Sequence, residues 1–268
     1  MLQTIVCKNF INTITLGVRF FMSLTRIISI LTLSLCSLVA QAESYADLHA
    51  SVARINPGLQ VLSVDTTPMF GMYKVVINTG DTLYMSADGE HFFTGTMYEN
   101  RVGTPLVNLT ELDLQKARVT TMQGDAAKQA WVFKAVGETK ATITVFTDVD
   151  CFYCQKLHAE MPKINALGVE VRYLAFPRAG INSSSHKVLA DAWCAEDQNS
   201  FLTQAKQRAH DKLPPLASPT ACDNPVADHY ALSQQMGLNG TPAIILDSGE
   251  LWPGYLPAAE IAKRLGIN

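Results

Sequence analysis

Two cysteines separated by two residues carry the clearest chemical signal in the sequence. Residues 145–158 read VFTDVDCFYCQKLH, which places Cys151 and Cys154 in a Cys-x-x-Cys motif. In such a motif one thiolate attacks a disulfide, and the second thiol resolves the mixed disulfide that forms. The spacing therefore predicts thiol–disulfide exchange, with Cys151 as the attacking sulfur and Cys154 as the resolving one.

The motif lies where a predicted strand meets a predicted helix. Residues 141–146 alternate β-branched and small side chains, and apolar residues from Leu157 to Ile164 recur at helical spacing. A cysteine at a helix N-terminus faces unpaired backbone N–H groups and the positive end of the helix dipole, so the pKa of Cys151 should fall. Cys154 lies one turn further on the same side and can close a disulfide with Cys151.

Other uses of these cysteines need residues that the chain offers poorly. A structural zinc site needs a second Cys pair or a Cys/His pair, and the sequence supplies Cys194 and Cys222, far apart, and a lone helical His158 that is more often structural. A c-type haem needs His directly after the second cysteine, where Gln155 stands. We therefore expect no metal and no cofactor, while a purely structural Cys151–Cys154 disulfide stays an alternative.

The N-terminal residues have the pattern of a secretory signal peptide. No acidic residue precedes Glu43, three basic residues are followed by the mostly apolar run 27–39, and a small-x-small site occupies 40–42. This predicts cleavage after Ala42, and the apolar run is short for a membrane span. Met22 is an alternative start that would make a signal of ordinary length.

Cleavage changes the charge and the cysteine count. Removing residues 1–42 takes away three basic residues and no acidic one, so the net charge moves from −3 to −6, which argues against a nucleic-acid partner. Four cysteines remain, and an even number suits an oxidising compartment. The simplest pairing adds a structural Cys194–Cys222 bridge to the active couple. The alternative is that Cys194, in the helical-looking segment 185–195, is a buried small hydrophobe.

The remaining length predicts two domains. The first would contain a short amphipathic helix and then an antiparallel meander, with turn signals at Thr79-Gly80 and Asp88-Gly89. The helix is predicted over 44–55 and the strands over 59–64, 73–78, 82–86 and 92–98. Because so thin a domain has little core, we expect it to form a homodimer through an edge strand.

A linker helix and a second domain follow Pro105. The helix is predicted over 109–130, weakened at Gly124. Strands are predicted over 131–136, 141–146 and 169–176, a helical region over 184–209, a helix over 225–236, a hairpin over 243–246 and 250–252, and a final helix over 257–265. This order is that of the thioredoxin fold with a helical insertion. The predicted domains are 43–105, 106–130 and 131–268, after a signal peptide over 1–42.

The segment Gly240-Thr241-Pro242-Ala243 stands directly before a predicted strand. A trans proline is an odd choice inside a central sheet, so we expect a cis Thr241–Pro242 bond. Thr241 would then offer its backbone N–H and C=O beside the cysteines to an extended substrate. An ordinary trans turn before an edge strand is the alternative.

Several segments together resemble the DsbC family of bacterial periplasmic disulfide isomerases. They are Phe146-Thr147-Asp148 before Cys-x-Tyr-Cys, then RYLAFPR at 172–178, WCA at 193–195, ADHYAL at 227–232 and GTPA at 240–243. The resemblance covers nearly the whole chain after residue 42. It implies a V-shaped homodimer of α+β and α/β parts: an N-terminal cystatin-like dimerisation domain, a linker helix and a thioredoxin-fold catalytic domain.

The resemblance also implies roles for individual residues. Cys151 is the nucleophile and Cys154 its partner, Thr241 and Pro242 form the substrate-binding cis-proline loop, and Cys194 and Cys222 form the structural bridge. Phe152 stands where the family motif has Gly. Because the two residues inside the motif tune thiolate stability and reduction potential, Phe152 is expected to alter the strength of the protein as an oxidant.

Together with the residues, the resemblance implies a periplasmic disulfide isomerase that reshuffles incorrect disulfides in exported proteins and also acts as a chaperone. Its cycle needs Cys151 kept reduced, which the resemblance assigns to a DsbD-like membrane reductase. A DsbA-like dithiol oxidase and a dimeric holdase chaperone are the alternatives. Asp148 and Asp150 would oppose a nearby thiolate if unscreened, or would be solvated turn or helix-cap residues.

Overall fold

The computed structural model describes residues 45–267. The predicted signal peptide and the first residues of the predicted N-terminal domain therefore lie outside the described residues. The elements of the N-terminal part are α1 (Ala46–Ile55), β1 (Val61–Thr66), β2 (Met72–Ile77), β3 (Thr82–Ser86), β4 (Phe92–Thr94), β5 (Tyr98–Glu99) and β6 (Val107–Asn108). The first four strands form an antiparallel sheet in the order β1-β2-β3-β4.

The predicted strand over 92–98 is wrong in its length. Strand β4 ends at Thr94, and Gly95 follows with φ of 151°, a conformation that other residues rarely adopt. The chain then leaves the sheet, and β5 pairs with β6 in a separate two-stranded ribbon that the sequence analysis did not predict.

A small core holds the N-terminal part together. Leu48 and Val52, four residues apart on α1, are fully buried against apolar residues of β2 and β3. The whole cluster is Leu48, Val52, Val75, Ile77, Leu83 and Met85. So few buried side chains give this part little apolar burial of its own.

The linker contains two helices where one weakened helix was predicted. Helix α2 (Leu109–Met122) begins at Asn108, whose side chain accepts the N–H of Glu111. It stops before Gly124, and the short α3 (Asp125–Lys128) follows. Buried Arg118 pairs with Glu111 at 2.7 Å and donates to the carbonyl of Gly249 at 3.0 Å, which ties the linker to the C-terminal domain.

The C-terminal part is built on a five-stranded sheet in the order β11-β10-β8-β9-β7. Its strands are β7 (Trp131–Phe133), β8 (Ala141–Thr147), β9 (Val169–Ala175), β10 (Ala243–Leu246) and β11 (Leu251–Pro253). Strands β8 and β9 are parallel and the other pairs antiparallel. Strand β7 is shorter than predicted because the N–H of Val136 bonds to the carbonyl of Asn165 instead of a neighbouring strand.

Six helices complete this part: α4 (Phe152–Ala159), α5 (Met161–Ala166), α6 (Ser184–Cys194), α7 (Gln198–His210), α8 (Val226–Gln235) and α9 (Ala258–Arg264). The predicted element order is confirmed, but the helix after the cysteines is interrupted at Glu160. Pro162 lies in the first turn of α5, where a missing N–H costs least. The predicted helical region 184–209 is likewise two helices, with Asp197 capping α7.

The main core lies around the central strand β8. Val145 and Phe146 are fully buried, one on each face of the sheet, and belong to two different apolar clusters. Cys151 therefore lies shortly after the end of a central, largely buried strand, which gives its position a rigid support. Within residues 45–267, no helix has the length and apolar character needed to cross a membrane.

Candidate active site

Cys151 occupies the N-cap of α4. Its Sγ accepts the backbone N–H of Cys154 at 3.3 Å, so the sulfur takes the place of an ordinary capping oxygen. Both thiols are free, and both residues are almost completely buried. The helix start thus directs backbone donors and the positive end of its dipole at Cys151.

The two thiols have opposite acidities. Hydrogen bonding with the Cys154 side chain lowers the pKa of Cys151 to about 5, against the opposing effect of burial, with further help from the Thr241 side chain, the Cys154 N–H and Arg178. Burial raises the pKa of Cys154, and the shared hydrogen bond with Cys151 adds to the rise. At neutral pH the reduced site therefore holds a Cys151 thiolate beside a protonated Cys154.

The loop before β10 reaches the same sulfur. The Thr241–Pro242 peptide bond is cis, and the carbonyl oxygen of Thr241 lies 3.2 Å from the Cys151 Sγ. The Pro242 carbonyl accepts the Gly254 N–H at 2.8 Å, and Ala243 is then paired with β8. The structure thus brings Cys151, Cys154 and Thr241 together through the register of the central sheet.

Asp148 is screened from the thiolate by its own partners. Its carboxylate is buried and accepts the backbone N–H of Arg178 at 3.0 Å and the Arg178 Nε–H at 3.2 Å. It also accepts the Ser185 hydroxyl and the backbone N–H of Asp150, which makes it a turn residue as well. The residue Asp150 keeps contact with solvent, but partial desolvation of its carboxyl, followed by the charge of Asp148, raises its pKa. Sequence reasoning did not find Arg178 or Ser185.

A buried lysine lies behind the cysteines and was also missed. Lys206 of α7 is only 1% exposed, and its ammonium donates to the Thr147 hydroxyl at 2.8 Å and to the Asp148 carbonyl at 3.2 Å. A lysine in an amphipathic helix is usually exposed, so its position in the sequence contained no signal of this burial.

A groove lies beside the cysteine motif, between α4 and α7. Its volume is about 690 Å³, and it is lined by Phe152, His158 and His210 among others. Phe152 is 58% exposed and stacks on His210, with ring centroids 6.1 Å apart. The contacts of His158 agree with the predicted structural role. Its Nε2 lies 2.9 Å from the Thr203 hydroxyl, and burial lowers its pKa to about 3.

Cys194 and Cys222 form a disulfide that closes a loop across 28 residues of sequence. Cys194 ends α6, and Cys222 is exposed in the loop before α8. The structure therefore places this disulfide outside the group of residues around Cys151. Among the residues described, three exposed side chains of the β3–β4 turn, Asp88, Glu90 and His91, could bring metal-ligand atoms within 4.8 Å of one another. Exposed acidic turns commonly have this arrangement without a metal.

Two family models match the chain. One, described as a thioredoxin-like domain, matches residues 129–266, and the other, described as the disulfide bond isomerase protein N-terminal domain, matches residues 39–111. The first contains the five-stranded sheet with both cysteine couples. The second contains α1 and the four-stranded sheet.

Curated relatives match over most of their length. The thiol:disulfide interchange protein DsbC of Escherichia coli K12 is 40% identical over 226 residues, which are 84% of this chain and 89% of the relative. The protein of the same name from Dickeya dadantii is 38% identical over 240 residues, covering 90% and 93% of the two chains. A crystal structure of a disulfide interchange protein from Neisseria gonorrhoeae is 28% identical, covers 53% of this chain and 98% of its own, and has a TM-score of 0.43.

Proposed function

Because the chain belongs to the DsbC family and is a disulfide isomerase with a thioredoxin-like domain, we propose that Cys151 is its nucleophile and Cys154 its resolving cysteine. The observation that carries this assignment is the asymmetry of the couple. Cys151 caps α4 with a pKa lowered to about 5, whereas burial keeps Cys154 protonated. Only one of the two sulfurs is therefore a ready nucleophile.

The proposed cycle begins when the Cys151 thiolate attacks one sulfur of a wrong disulfide in a client protein. The client S–S bond breaks, a Cys151–client disulfide forms, and the other client sulfur leaves as a thiolate. That thiolate attacks another disulfide of the client until the native pairing displaces Cys151. If the client stalls, Cys154 attacks Cys151 and releases the client reduced.

Thr241 and Pro242 are proposed to bind the client backbone next to the reacting disulfide. The support is position: the Thr241 carbonyl lies 3.2 Å from the Cys151 Sγ, at the end of a strand paired with β8. An extended client segment that pairs with this backbone would hold its disulfide in line with the thiolate. Cys194 and Cys222 are proposed to act only as a structural bridge.

The experiment that tests this function is recovery of a scrambled multi-disulfide protein by the reduced chain, with Cys151→Ala measured in parallel. We expect the native pairing to return with the wild type and not with Cys151→Ala. Cys194→Ala/Cys222→Ala is the matched control, because it removes a cysteine couple without touching α4. Equal recovery with wild type and Cys151→Ala would contradict the assignment.

A DsbA-like oxidase is the second candidate, and the low pKa of Cys151 favours it. A stable thiolate stabilises the reduced couple, which makes the disulfide form a stronger oxidant. Rapid oxidation of a fully reduced client by the disulfide form, without reshuffling of a scrambled one, would support this alternative. The redox state of Cys151 in cells separates the two directions of electron flow.

The N-terminal domain is proposed to form a homodimer. Strand β4 lies at one edge of its sheet, and Phe92 and Phe93 are 46% and 45% exposed there. Pairing of this edge with a second copy would bury apolar surface that the small core leaves uncovered.

The proposed division of the chain is 43–105, 106–130 and 131–268. Light scattering on the purified chain and on a 131–268 fragment tests whether the N-terminal domain forms the homodimer, with a dimer expected only for the full chain.

The clients are proposed to be misoxidised exported proteins, and the protein is proposed to act in the periplasm after cleavage behind Ala42. Sequencing the N-terminus of the purified periplasmic protein tests this, with Glu43 expected first. A DsbD-like membrane reductase is proposed as the electron donor. If so, loss of that reductase leaves Cys151 and Cys154 oxidised in cells, which thiol alkylation followed by electrophoresis detects.

A further inference from the structure

The ammonium of Lys206 is completely buried behind the cysteines, and the exchange cycle described above does not use it. It donates to the Thr147 hydroxyl and the Asp148 carbonyl, and lies 5.4 Å from the centroid of the Tyr173 ring. Burying a lysine charge costs free energy that hydrogen bonds to neutral oxygens offset only in part. A methionine has a similar shape and no charge, so it would avoid that cost. The buried positive charge therefore indicates a role beyond packing.

The surroundings of Lys206 point to Cys154. Helix α7 packs against α4, which carries Cys154, and Thr147 and Asp148 lead directly to the cysteine motif. The titratable groups whose charges interact with the ammonium are Cys151, Cys154 and His158 of the α4 region and Asp148 and Asp150 of the preceding loop. The ammonium also lies over the ring of Tyr173 of β9. Among these groups, Asp148 already has Arg178 as its ion-pair partner.

We propose that Lys206 is a positioning residue that stabilises the Cys154 thiolate in the resolving step. The inference rests on the proposed function, since it concerns the step in which Cys154 releases a stalled client. Lys206 touches no reacting sulfur in that step; it supplies a fixed positive charge behind Cys154. In a buried site a preorganised charge of this kind is worth more than in water.

The step balances without any further reagent. The Cys154 thiol gives up its proton, and the resulting thiolate attacks the Cys151 sulfur. The Cys151–client S–S bond breaks, the Cys151–Cys154 bond forms, and the electron pair leaves on the client sulfur. The proton given up by Cys154 balances the one that the client sulfur takes up, so the client leaves as a thiol.

The charges around Cys154 make this help necessary. Burial raises the pKa of Cys154 strongly, and the positive charge of Lys206 acts most against the rise. The charge of Arg178 also interacts with Cys154, but Arg178 is half exposed and is the ion-pair partner of Asp148. His158 cannot take the place of Lys206, because burial lowers the pKa of His158 to about 3 and leaves it neutral. Burial lowers the pKa of Lys206 itself, while Cys154, Asp148 and Cys151 raise it and so favour its charged form.

The test separates the two chemical steps with oxidised glutathione as the probe. The reduced protein is mixed with oxidised glutathione, and samples are quenched with acid at intervals. Mass spectrometry of these samples follows formation and decay of the Cys151–glutathione disulfide. For Lys206→Met we expect formation within about twofold of wild type and decay slowed about tenfold at pH 7, since one pKa unit corresponds to a factor of ten. The pH midpoint of decay should rise. Lys187→Met is the control, because it removes an exposed lysine of α6.

Three outcomes decide the question. Slower decay with a raised midpoint supports the proposal, and decay within twofold of wild type at every pH overturns it. Loss of the formation step in wild type would overturn the proposed function instead. If Lys206→Met does not fold, Lys206→Gln takes its place in the same assay, because it also removes the charge but keeps a donor for the Thr147 hydroxyl. Slower decay with a raised midpoint again supports the proposal, and decay within twofold of wild type at every pH overturns it.

Discussion

Each of the two cysteine couples of this protein has two sulfur atoms, but one couple is reduced and the other is bonded. Cys151 and Cys154 are free and buried at the start of a helix, while Cys194 and Cys222 are bonded, with Cys222 on the surface. The first couple has helix N–H groups and buried charges around it; the second closes a loop. This difference indicates that a cysteine couple is reactive where its surroundings stabilise the thiolate of one of its two cysteines and not that of the other.

The largest expected effect concerns the pH dependence of Cys151. Because only the thiolate reacts, its alkylation by iodoacetamide should be constant above about pH 6 and fall about tenfold per pH unit below its pKa of about 5. Cys154 should stay unmodified at neutral pH. Mass spectrometry of the reduced protein across a pH series measures both.

Cys154→Ala sharpens this first prediction. The hydrogen bond with the Cys154 side chain is the largest cause that lowers the pKa of Cys151. The alkylation midpoint of Cys151 should therefore move to higher pH in the variant. A wild-type midpoint near the ordinary thiol value of about 8.5 would break the contrast between the two couples.

The second prediction concerns the bonded couple. Cys194→Ala/Cys222→Ala should lower the free energy of unfolding by roughly 2–4 kcal/mol, because the bridge no longer restricts the unfolded chain across 28 residues. Urea denaturation measures this loss. The alkylation midpoint of Cys151 should not change, and a shift of that midpoint would show that the two couples are not independent.

The third prediction concerns the carboxylate that supports the reactive couple. Asp148→Asn should lower the free energy of unfolding by about 1–3 kcal/mol, because the amide cannot accept all the hydrogen bonds that Arg178, Ser185 and Asp150 donate. Urea denaturation again measures the change. Asp125→Asn is a suitable control, since Asp125 is 94% exposed and its ion pair with Lys128 is at the surface; an equal loss in both variants would contradict the role of burial.

The smallest expected effect is that of Arg178→Gln on Cys151. Arg178 is the last of the causes that lower the pKa of Cys151, and it is half exposed. The alkylation midpoint should rise by less than in Cys154→Ala. A larger rise would mean that the ion pair, rather than the contact between the two thiols, sets the acidity of the nucleophile.

Local patterns were enough to predict the support of the reactive couple. Alternation over 141–146 and helical spacing after Cys151 predicted the strand and helix that β8 and α4 confirm. The interruption at Glu160 was missed, although Pro162 was an available signal. The end of β4 at Thr94 was missed as well, because the Gly95 that follows it was not taken as a break.

The charged groups around the couple could not be predicted in the same way. Arg178 meets Asp148 from 30 residues away, and Lys206 meets Thr147 from 59 residues away. Nothing near Lys206 in the sequence distinguishes it from an exposed helical lysine. Its burial exists only because α7 packs beside α4 and behind the end of β8.

The sequence by itself determined the cysteine spacing, the helix start that Cys151 caps, and the order of strands and helices. These features depend on backbone hydrogen bonds and side-chain periodicity among residues close in the chain. The sequence also predicted Thr241 beside the cysteines, where its carbonyl lies 3.2 Å from the Cys151 Sγ. Only the tertiary structure decided that the Asp148–Arg178 pair and the Lys206 ammonium lie next to the cysteine motif. Burial and charge pairing depend on elements far apart in sequence, so they exist only once the sheet and its helices have packed.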